Sequence, residues 1–255
     1  MHFRKRYHRE FRQQVRRFRA EFSKFVLQES GTEVLCGPIK GFRFIEESFW
    51  GGVSDTATKI FGLYEQQNLA VFERQRKSVL VDIGAADGFW GVGLVFAGKF
   101  EKSICFEISS TGQRVIRDTA IHNGVSEKVT VFGDALEDTI ERISSIEPNS
   151  DNIFFLIDIE GAEFALLTEP FLERYARSEF LVELHPQMVS GGDERLEELE
   201  HIASKNFKIS YITGDVRDTS EMDKIIKLGD DFKWPIISEG RGFPMRWLHL
   251  VPRGT

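Results

Sequence analysis

An α/β fold built around a mostly parallel sheet is what three features of the sequence predict. From Val79 onward, short apolar runs end in an acid or a glycine and recur at spacings of about 25 residues with helical stretches between them, the pattern of stacked βαβ units. The run Val79 to Gly93, VLVDIGAADGFWGVG, passes from an apolar strand through Asp82 into a turn holding Gly84 and Gly88, then into an apolar helix. Such a run reads as a buried strand that delivers a loop to a nucleotide-like ligand approaching the backbone closely. Third, Phe154 to Glu163, FFLIDIEGAE, switches from wholly apolar to acidic within one residue.

Composition narrows the class. With 255 residues, 41% hydrophobic and 29% charged, the chain can bury one substantial core and is neither disordered nor fibrous in character. No apolar run approaches the roughly 20 residues of a membrane helix, and the start lacks the apolar centre of a secretory signal. The two cysteines, Cys36 and Cys105, have no Cys or His neighbour at metal-ligand spacing and read as small buried hydrophobes, so a cytoplasmic protein is expected. The net charge of −7 is uneven: residues 1–24 hold nine Lys or Arg against two Glu, leaving 24 basic and 38 acidic residues elsewhere. An acidic body disfavours nucleic acid as a partner, because wrapping it requires clustered cations.

Three segments follow in order. Residues 1–30 form a basic amphipathic helix, with Phe3, Tyr7, Phe11, Val15, Phe18, Phe22 and Phe25 at steps of three and four. Its aromatic stripe is expected to dock on the body or on a second subunit, with a peripheral membrane contact as the alternative. Residues 31–77 are a connector: Gly31 to Gly52 has no sustained period, and one helix is expected from Ser54 to Glu73. Residues 78–255 carry the sheet. Strands are placed at Ser78 to Ile83, Ser103 to Glu107, Lys128 to Phe132, Ile153 to Asp158, Phe180 to Glu183, Phe207 to Ile212 and Trp247 to Val251. Helices fall near Gly91 to Gly98, Gly112 to His122, Leu136 to Ile143, Leu166 to Tyr175 and Glu194 to Lys205, with Asn123-Gly124 as a left-handed cap. The end, LVPRGT at 250–255, has the look of a protease-cleavable expression linker, although Val251 equally finishes a strand.

The chemistry gathers at strand ends. Spacing G-x-x-x-G at Gly84 and Gly88 departs from the G-x-G-x-x-G of dinucleotide sites and disfavours NAD. Glycines let the backbone pass under a ligand, Ala85 lines the loop, and Asp82 or Asp87 can accept hydrogen bonds from a cationic amino group, which suits the methionine end of S-adenosylmethionine. Glu107, 23 residues after Gly84 at the end of the next strand, can accept both hydroxyls of a ribose. Asp134 is placed for an adenine amino group, with Ala135 against the ring. Asp158, Glu160 and Glu163 crowd beside Gly161, with Glu183 and His185 after the fifth strand. An alcohol acceptor must lose a proton, for which Asp158 is the first candidate, followed by His185 and Glu160. Asp158, Glu160, Glu183 and His185 form the second-ranked arrangement, a divalent-metal site. Glu160 and Glu163 as helix caps and His185 as a buried hydrogen-bonded residue are the structural alternatives, and for Glu163 the capping role is preferred.

From Lys59 to Pro186 the chain resembles the FkbM-type family of S-adenosylmethionine-dependent methyltransferases, on a D-x-G-A loop at Asp82, an acid after strand two at Glu107 and a D-[IV]-E-G-A-E run at Asp158, in that order. Gly62-Leu63-Tyr64-Glu65, Ile121 to Gly124 and Val182 to Pro186 agree as well. Ala86-Asp87 and the bulky Phe89-Trp90 depart from the family pattern. The resemblance implies a Rossmann-like three-layer sandwich, a seven-stranded sheet with an antiparallel last strand, Tyr64 and Glu65 near the cofactor, and methyl transfer to a hydroxyl of a glycan unit or secondary metabolite. The alternatives are an N- or RNA-directed methyltransferase recruited by the basic arm, and a non-catalytic module that keeps the fold. Gly214 to Arg246, carrying Trp234, Glu239, Arg241, Phe243 and Arg246, together with Gly31 to Gly52, is where acceptor choice is expected.

Overall fold

The computed structural model describes residues 2–46, 52–214, 217–241 and 245–254, with side chains from residue 9 onward. Seven strands form one sheet: β1 (Val79–Ile83), β2 (Lys102–Phe106), β3 (Val129–Phe132), β4 (Ile153–Ile157), β5 (Glu179–Leu184), β6 (Phe207–Thr213) and β7 (Arg246–Pro252). Their order is β3-β2-β1-β4-β5-β7-β6, and β7 alone runs antiparallel to its neighbours β5 and β6. This is the expected Rossmann-like sheet, with the direction of chain progression reversing between β1 and β4. Ligands of such sheets bind at that reversal, beyond the carboxyl ends of the strands.

The central strands are apolar on both faces because helices cover both. One layer contains α1 (His2–Ser30), α2 (Thr56–Ile60), α3 (Leu69–Arg74), α4 (Phe89–Phe96), α5 (Ser110–His122), α10 (Met222–Ile225) and α11 (Asp230–Ile237). The other contains α6 (Thr139–Ile146), α7 (Glu163–Leu166), α8 (Glu169–Arg174) and α9 (Gly192–Ala203). Strand alternation divides the side chains between them. Val79, Val81 and Ile83 face the second layer with Phe155, Ile157, Phe180 and Val182, while Leu80, Leu156 and Leu181 face the first. By the same alternation Asp82, Asp158 and Glu183 project toward the first layer, at the carboxyl edge of three adjacent strands.

Residues 31–46 are irregular apart from a bridge between Glu33 and Arg43, and they share the first layer's core through Val34, Ile39, Phe42 and Phe44. Residues 47–51 of the expected connector and Phe243 lie outside the described residues.

Several expectations are corrected. The single helix from Ser54 to Glu73 is instead α2 and α3, separated by a turn in which Gly62 and Glu65 both have positive φ. Gly62 fits there because a Cβ would collide with the Cys36 carbonyl. Leu166 to Tyr175 splits into α7 and α8, with Pro170 in the first turn of α8, a position that tolerates its missing N–H. The helix expected from Leu136 begins at Thr139, after Asp138 at φ 50°. At the carboxyl end, Leu250, Val251 and Pro252 pair with β6, so the first half of the supposed linker is strand.

The face of α1 is corrected too. Phe18 and Phe22 pack on the core, but Phe11 and Phe25 are 65% and 49% exposed, and the buried stripe continues through Arg19, Ser23 and Val26. Polar anchors set this rotation. Arg19 pairs with Asp55, and Ser23 Oγ accepts from the Ala57 amide at 3.2 Å and donates to the Ser54 carbonyl. For Phe3 and Tyr7 the side chains lie outside the described residues. No helix among the described residues is long and apolar enough to cross a membrane.

Candidate active site

The loop after β1 turns at Gly84 (φ 86°), whose amide and that of Ala85 both donate to the Phe106 carbonyl at the end of β2. On its other side Gly84 lies against the Asp158 carbonyl, so closely that a Cβ would overlap that oxygen. The loop is therefore wedged between the ends of β2 and β4. It continues through Ala86 (φ 51°) and Gly88 (φ 77°) into α4, whose Gly91 amide donates to the Asp82 carboxylate. Four non-glycine residues among those described have positive φ, and three of them, Glu65, Ala86 and Glu160, rim this site. Backbone held in that region costs about 1–3 kcal/mol per residue and persists where surrounding contacts enforce it.

At the end of β2, Glu107 is mostly buried and accepts from the Ala86 amide (2.9 Å) and the Ser109 amide (2.8 Å), one on each oxygen. A carboxylate has about four lone-pair sites, so each oxygen retains acceptor capacity. Burial raises the Glu107 pKa while these two amides oppose the rise. Past β3, Asp134 Oδ1 accepts from the Leu136 amide at 2.8 Å and Ala135 is buried, so the Asp134 turn is self-stabilised at the same edge.

A narrow cavity of about 60 Å³ opens between the β1 loop and β4, lined by Tyr64, Glu65, Asp82, Asp87, Trp90 and Asp158, among others. Its acids differ in what they meet. Asp87 pairs with buried Lys59, whose ammonium also lies 5.1 Å from the Phe89 ring centre, and it accepts from the Phe89 amide. Asp82 has an oxygen buried with no hydrogen-bond partner. Burial, then the charges of Glu65 and Asp158, push its pKa up to about 8. Glu65 accepts from Trp90 Nε1 (2.8 Å) and from Arg241 (3.0 Å), yet burial still lifts it to about 7. Of the two acids expected to meet a cationic amino group, Asp87 already has its ammonium and Asp82 has none.

Asp158, Glu160, Glu163, Glu183 and His185 come together at the ends of β4 and β5. Glu163 is wholly buried and accepts from the amides of Gly161 (2.8 Å) and His185 (2.7 Å), clipping the β4–α7 loop to the end of β5. It thus supports backbone on both sides of the site and does not serve as the helix cap expected of it, since α7 carries no side-chain cap. His185 Nε2 faces Asp158, Glu160 and Glu183 at 3.6–3.8 Å. Burial lowers the imidazole pKa, but Glu163, Asp158 and Glu160 outweigh it and the net direction is upward. Burial and then the charge of Asp158 push Glu183 up to about 11, and burial raises Asp158 as well, with the charge of His185 opposing that rise.

Sequence reasoning missed the role of Arg241, which it placed only within the segment where acceptor choice is expected. Its guanidinium bridges Glu183, Glu65 (3.0 Å) and Glu239 (2.6 Å), and Glu239 in turn binds Arg217 and the Glu65 amide. Lys59 was missed as well. Neither sits in a periodic pattern, and only the alternation of charge in Glu239-Gly240-Arg241 hinted at a local pair. Arg246, the other arginine named in that segment, lies 5.1 Å from the Tyr211 ring centre. Arg9, Arg12 and Arg16 of α1 line a groove that reaches Arg241.

No protein-family model matches the chain, and no curated protein matches it. Solved structures share its general arrangement. The O-methyltransferase of Bacillus cereus in complex with S-adenosylhomocysteine is 10% identical over 91% of this chain and 90% of that one, with a TM-score of 0.46. TrmK of M. capricolum, also with S-adenosylhomocysteine, is 14% identical over 76% and 69%, with a TM-score of 0.44. A Streptococcus pneumoniae protein provisionally assigned as a tRNA (m1A22) methyltransferase is 14% identical over 74% and 69%, with a TM-score of 0.48. These are likenesses of fold, and the fold itself rests on the strand order above.

Proposed function

We propose that the chain is an S-adenosylmethionine-dependent methyltransferase of FkbM type that acts on a hydroxyl of a small molecule, a glycan unit or a secondary metabolite, in a reducing compartment such as the cytoplasm. One observation carries this reading. At the sheet's reversal point, the carboxyls of Glu65, Asp82 and Asp158 converge on one cavity, and Asp82 and Asp158 each keep a buried oxygen without a hydrogen-bond partner. Burying carboxylates without counter-charge is costly, so the cavity is complementary to a cation. The methionine end of the cofactor is cationic at both its ammonium and its sulfonium, and the sulfonium supplies an activated methyl carbon.

The chain's own residues divide the remaining work. Glu107 would hold the ribose hydroxyls, Asp134 and Ala135 the adenine, and Asp82 the ammonium, with Tyr64 and Glu65 forming the far wall. Asp158 would take the acceptor's proton as the new carbon–oxygen bond forms, and His185 and Glu160 lie close enough to share it. The arginines of the α1 groove favour an acceptor that carries an anionic group elsewhere.

Glu107→Ala tests the cofactor half. Loss of a charge-assisted contact to two hydroxyls is worth about 2–3 kcal/mol, so S-adenosylhomocysteine should bind about 30- to 150-fold more weakly by calorimetry. Unchanged affinity would remove Glu107 from the ribose site, and undetectable binding by the folded wild type would sink the whole reading.

Asp82 tests the ammonium contact through pH. Its carboxyl is raised to about 8, so much of it is protonated at pH 7, and a cation beside it favours the ionised form. Binding should therefore expel a proton at pH 7, and affinity should rise from pH 6 toward pH 7.5 as less proton remains to be displaced. Calorimetry in two buffers of different ionisation heat measures that release, which should shrink in Asp82→Asn. Equal release by the variant would show that Asp82 does not meet the cation.

A further inference from the structure

We infer that Asp158, Glu183 and His185 form a divalent-cation site of manganese type at the carboxyl edge of β4 and β5. It deepens the methyltransferase reading, on which it rests, by assigning a ligand to the acceptor side of the same cleft.

Distances separate this from a plain ion-paired histidine. One ligand atom from each of the three residues lies within 4.8 Å of the others. His185 Nε2 is 3.7 Å from Asp158 Oδ1, 3.8 Å from Glu183 Oε2 and 3.6 Å from Glu160 Oε2. A histidine bonded to an acid would close to about 2.7–2.9 Å. None of these contacts does. With bonds of about 2.1 Å to a common ion, neighbouring ligands stand about 3.0 Å apart and opposed ones about 4.2 Å, which brackets the 3.7 Å and 3.8 Å from His185 to Asp158 and Glu183.

The groups are also left in want of a partner. His185 is almost wholly buried, and neither ring nitrogen makes a hydrogen bond among the described residues: Nδ1 stands 3.6 Å from Glu163 Oε1, and Nε2 points into the three acids. Asp158 Oδ1, the atom facing Nε2, is likewise buried and unbonded. Buried polar groups are rarely orphaned, and an unbonded buried carboxylate oxygen set 3.7 Å from a ring nitrogen, too far for a hydrogen bond, marks a missing third body.

The surroundings fix the ligands in advance. Glu163 holds the His185 amide, and Arg241 grips Glu183 by Oε1, which leaves Oε2 turned toward the histidine. The carboxylates of Glu65, Asp158, Glu160, Glu183 and Glu239 face the guanidiniums of Arg217 and Arg241, so negative charge is in excess and a dication offsets most of it. Two carboxylates, one imidazole and no thiolate suit manganese, which accepts both donor types, better than magnesium, which prefers oxygen alone. Glu160, half-exposed at the rim, can supply a fourth ligand, leaving positions open for water or the acceptor's oxygen.

Titration of the full-length protein with Mn²⁺, followed by the loss of the free-ion paramagnetic resonance signal, tests the site, with calorimetry of S-adenosylhomocysteine run in parallel. One ion should bind per chain, and its spin-echo spectrum should show modulation from one imidazole nitrogen. His185→Gln should abolish the modulation, and Asp158→Asn should weaken Mn²⁺ more than about tenfold. The wild-type nitrogen signature stands as evidence even if a variant fails to fold. Protein that binds S-adenosylhomocysteine but no Mn²⁺, or Mn²⁺ binding that shows no nitrogen or survives both substitutions unchanged, would overturn the site and leave the methyltransferase reading intact. Mn²⁺ binding without any S-adenosylhomocysteine binding would do the reverse.

Discussion

Asp158→Asn is expected to lower turnover by about 10²- to 10⁴-fold, the range set by loss of a positioned proton acceptor, while S-adenosylhomocysteine affinity stays within about threefold, under ~0.7 kcal/mol. The split follows from position. Asp158 caps the strand next to the reversal point, and its side chain is 29% exposed toward the cleft, so the isosteric amide fits without disturbing the core. The adenosine half would rest on Glu107 and Asp134, on the far side of β1, which the substitution does not touch. What the amide cannot do is hold a proton or bind a cation through an anionic oxygen. Burial raises the native carboxyl, which strengthens it as a proton acceptor, and the charge of His185 opposes the rise. Steady-state kinetics with any accepted alcohol reads kcat, and calorimetry reads affinity. Equal losses in both would move Asp158 to the cofactor contacts, and no loss in turnover would remove it from the chemistry.

How much of this was legible in the sequence differs by element. The strands were, because a strand covered on both faces must be apolar at every position, and IFFLI or VLV can hardly be anything else. Period-two alternation also carried the convergence of Asp82, Asp158 and Glu183, since neighbouring strands in register repeat the same facing. Helices buried on one face were less legible. Polar residues decided the rotation of α1: Arg19 and Ser23 found partners on the next segment, which turned Phe11 and Phe25 outward against the aromatic periodicity. The break between α2 and α3 was hidden because Gly62 and Glu65 have no local reason to take positive φ. Glu65 is held there by Trp90, Arg241 and Glu239, all distant in sequence. Arg241 itself could not be placed, because an arginine among glycines shows no period and its three acids come from different parts of the chain.

Gly84→Ala should be the most damaging small substitution in the loop, lowering the midpoint of thermal unfolding by about 6–12 °C. Two costs add. At φ 86° an L side chain is strained by about 1–2 kcal/mol. The new Cβ would also overlap the Asp158 carbonyl oxygen and touch Ile159 Cγ2 at 3.0 Å, and backbone cannot swing away as a flexible side chain can. Relief requires that the β1 loop and the end of β4 separate, which sacrifices the Asp158 amide bond to the Ile83 carbonyl. A total near 3 kcal/mol corresponds to the stated shift at about 2–4 °C per kcal/mol for a chain of this size. Gly98→Ala is the matched control, because Gly98 also has positive φ (68°) but nothing lies within 4 Å of its Cβ. It should show the strain alone, about 2–8 °C on the same scale and less than Gly84→Ala measured alongside it. The difference between the two midpoints therefore measures how tightly β1 and β4 approach where the cofactor would bind. If they match, that approach is loose and Asp158 is not held against the loop. If Gly84→Ala also weakens S-adenosylhomocysteine well beyond its effect on stability, the wedge that positions Asp158 is the same one that shapes the cofactor's bed.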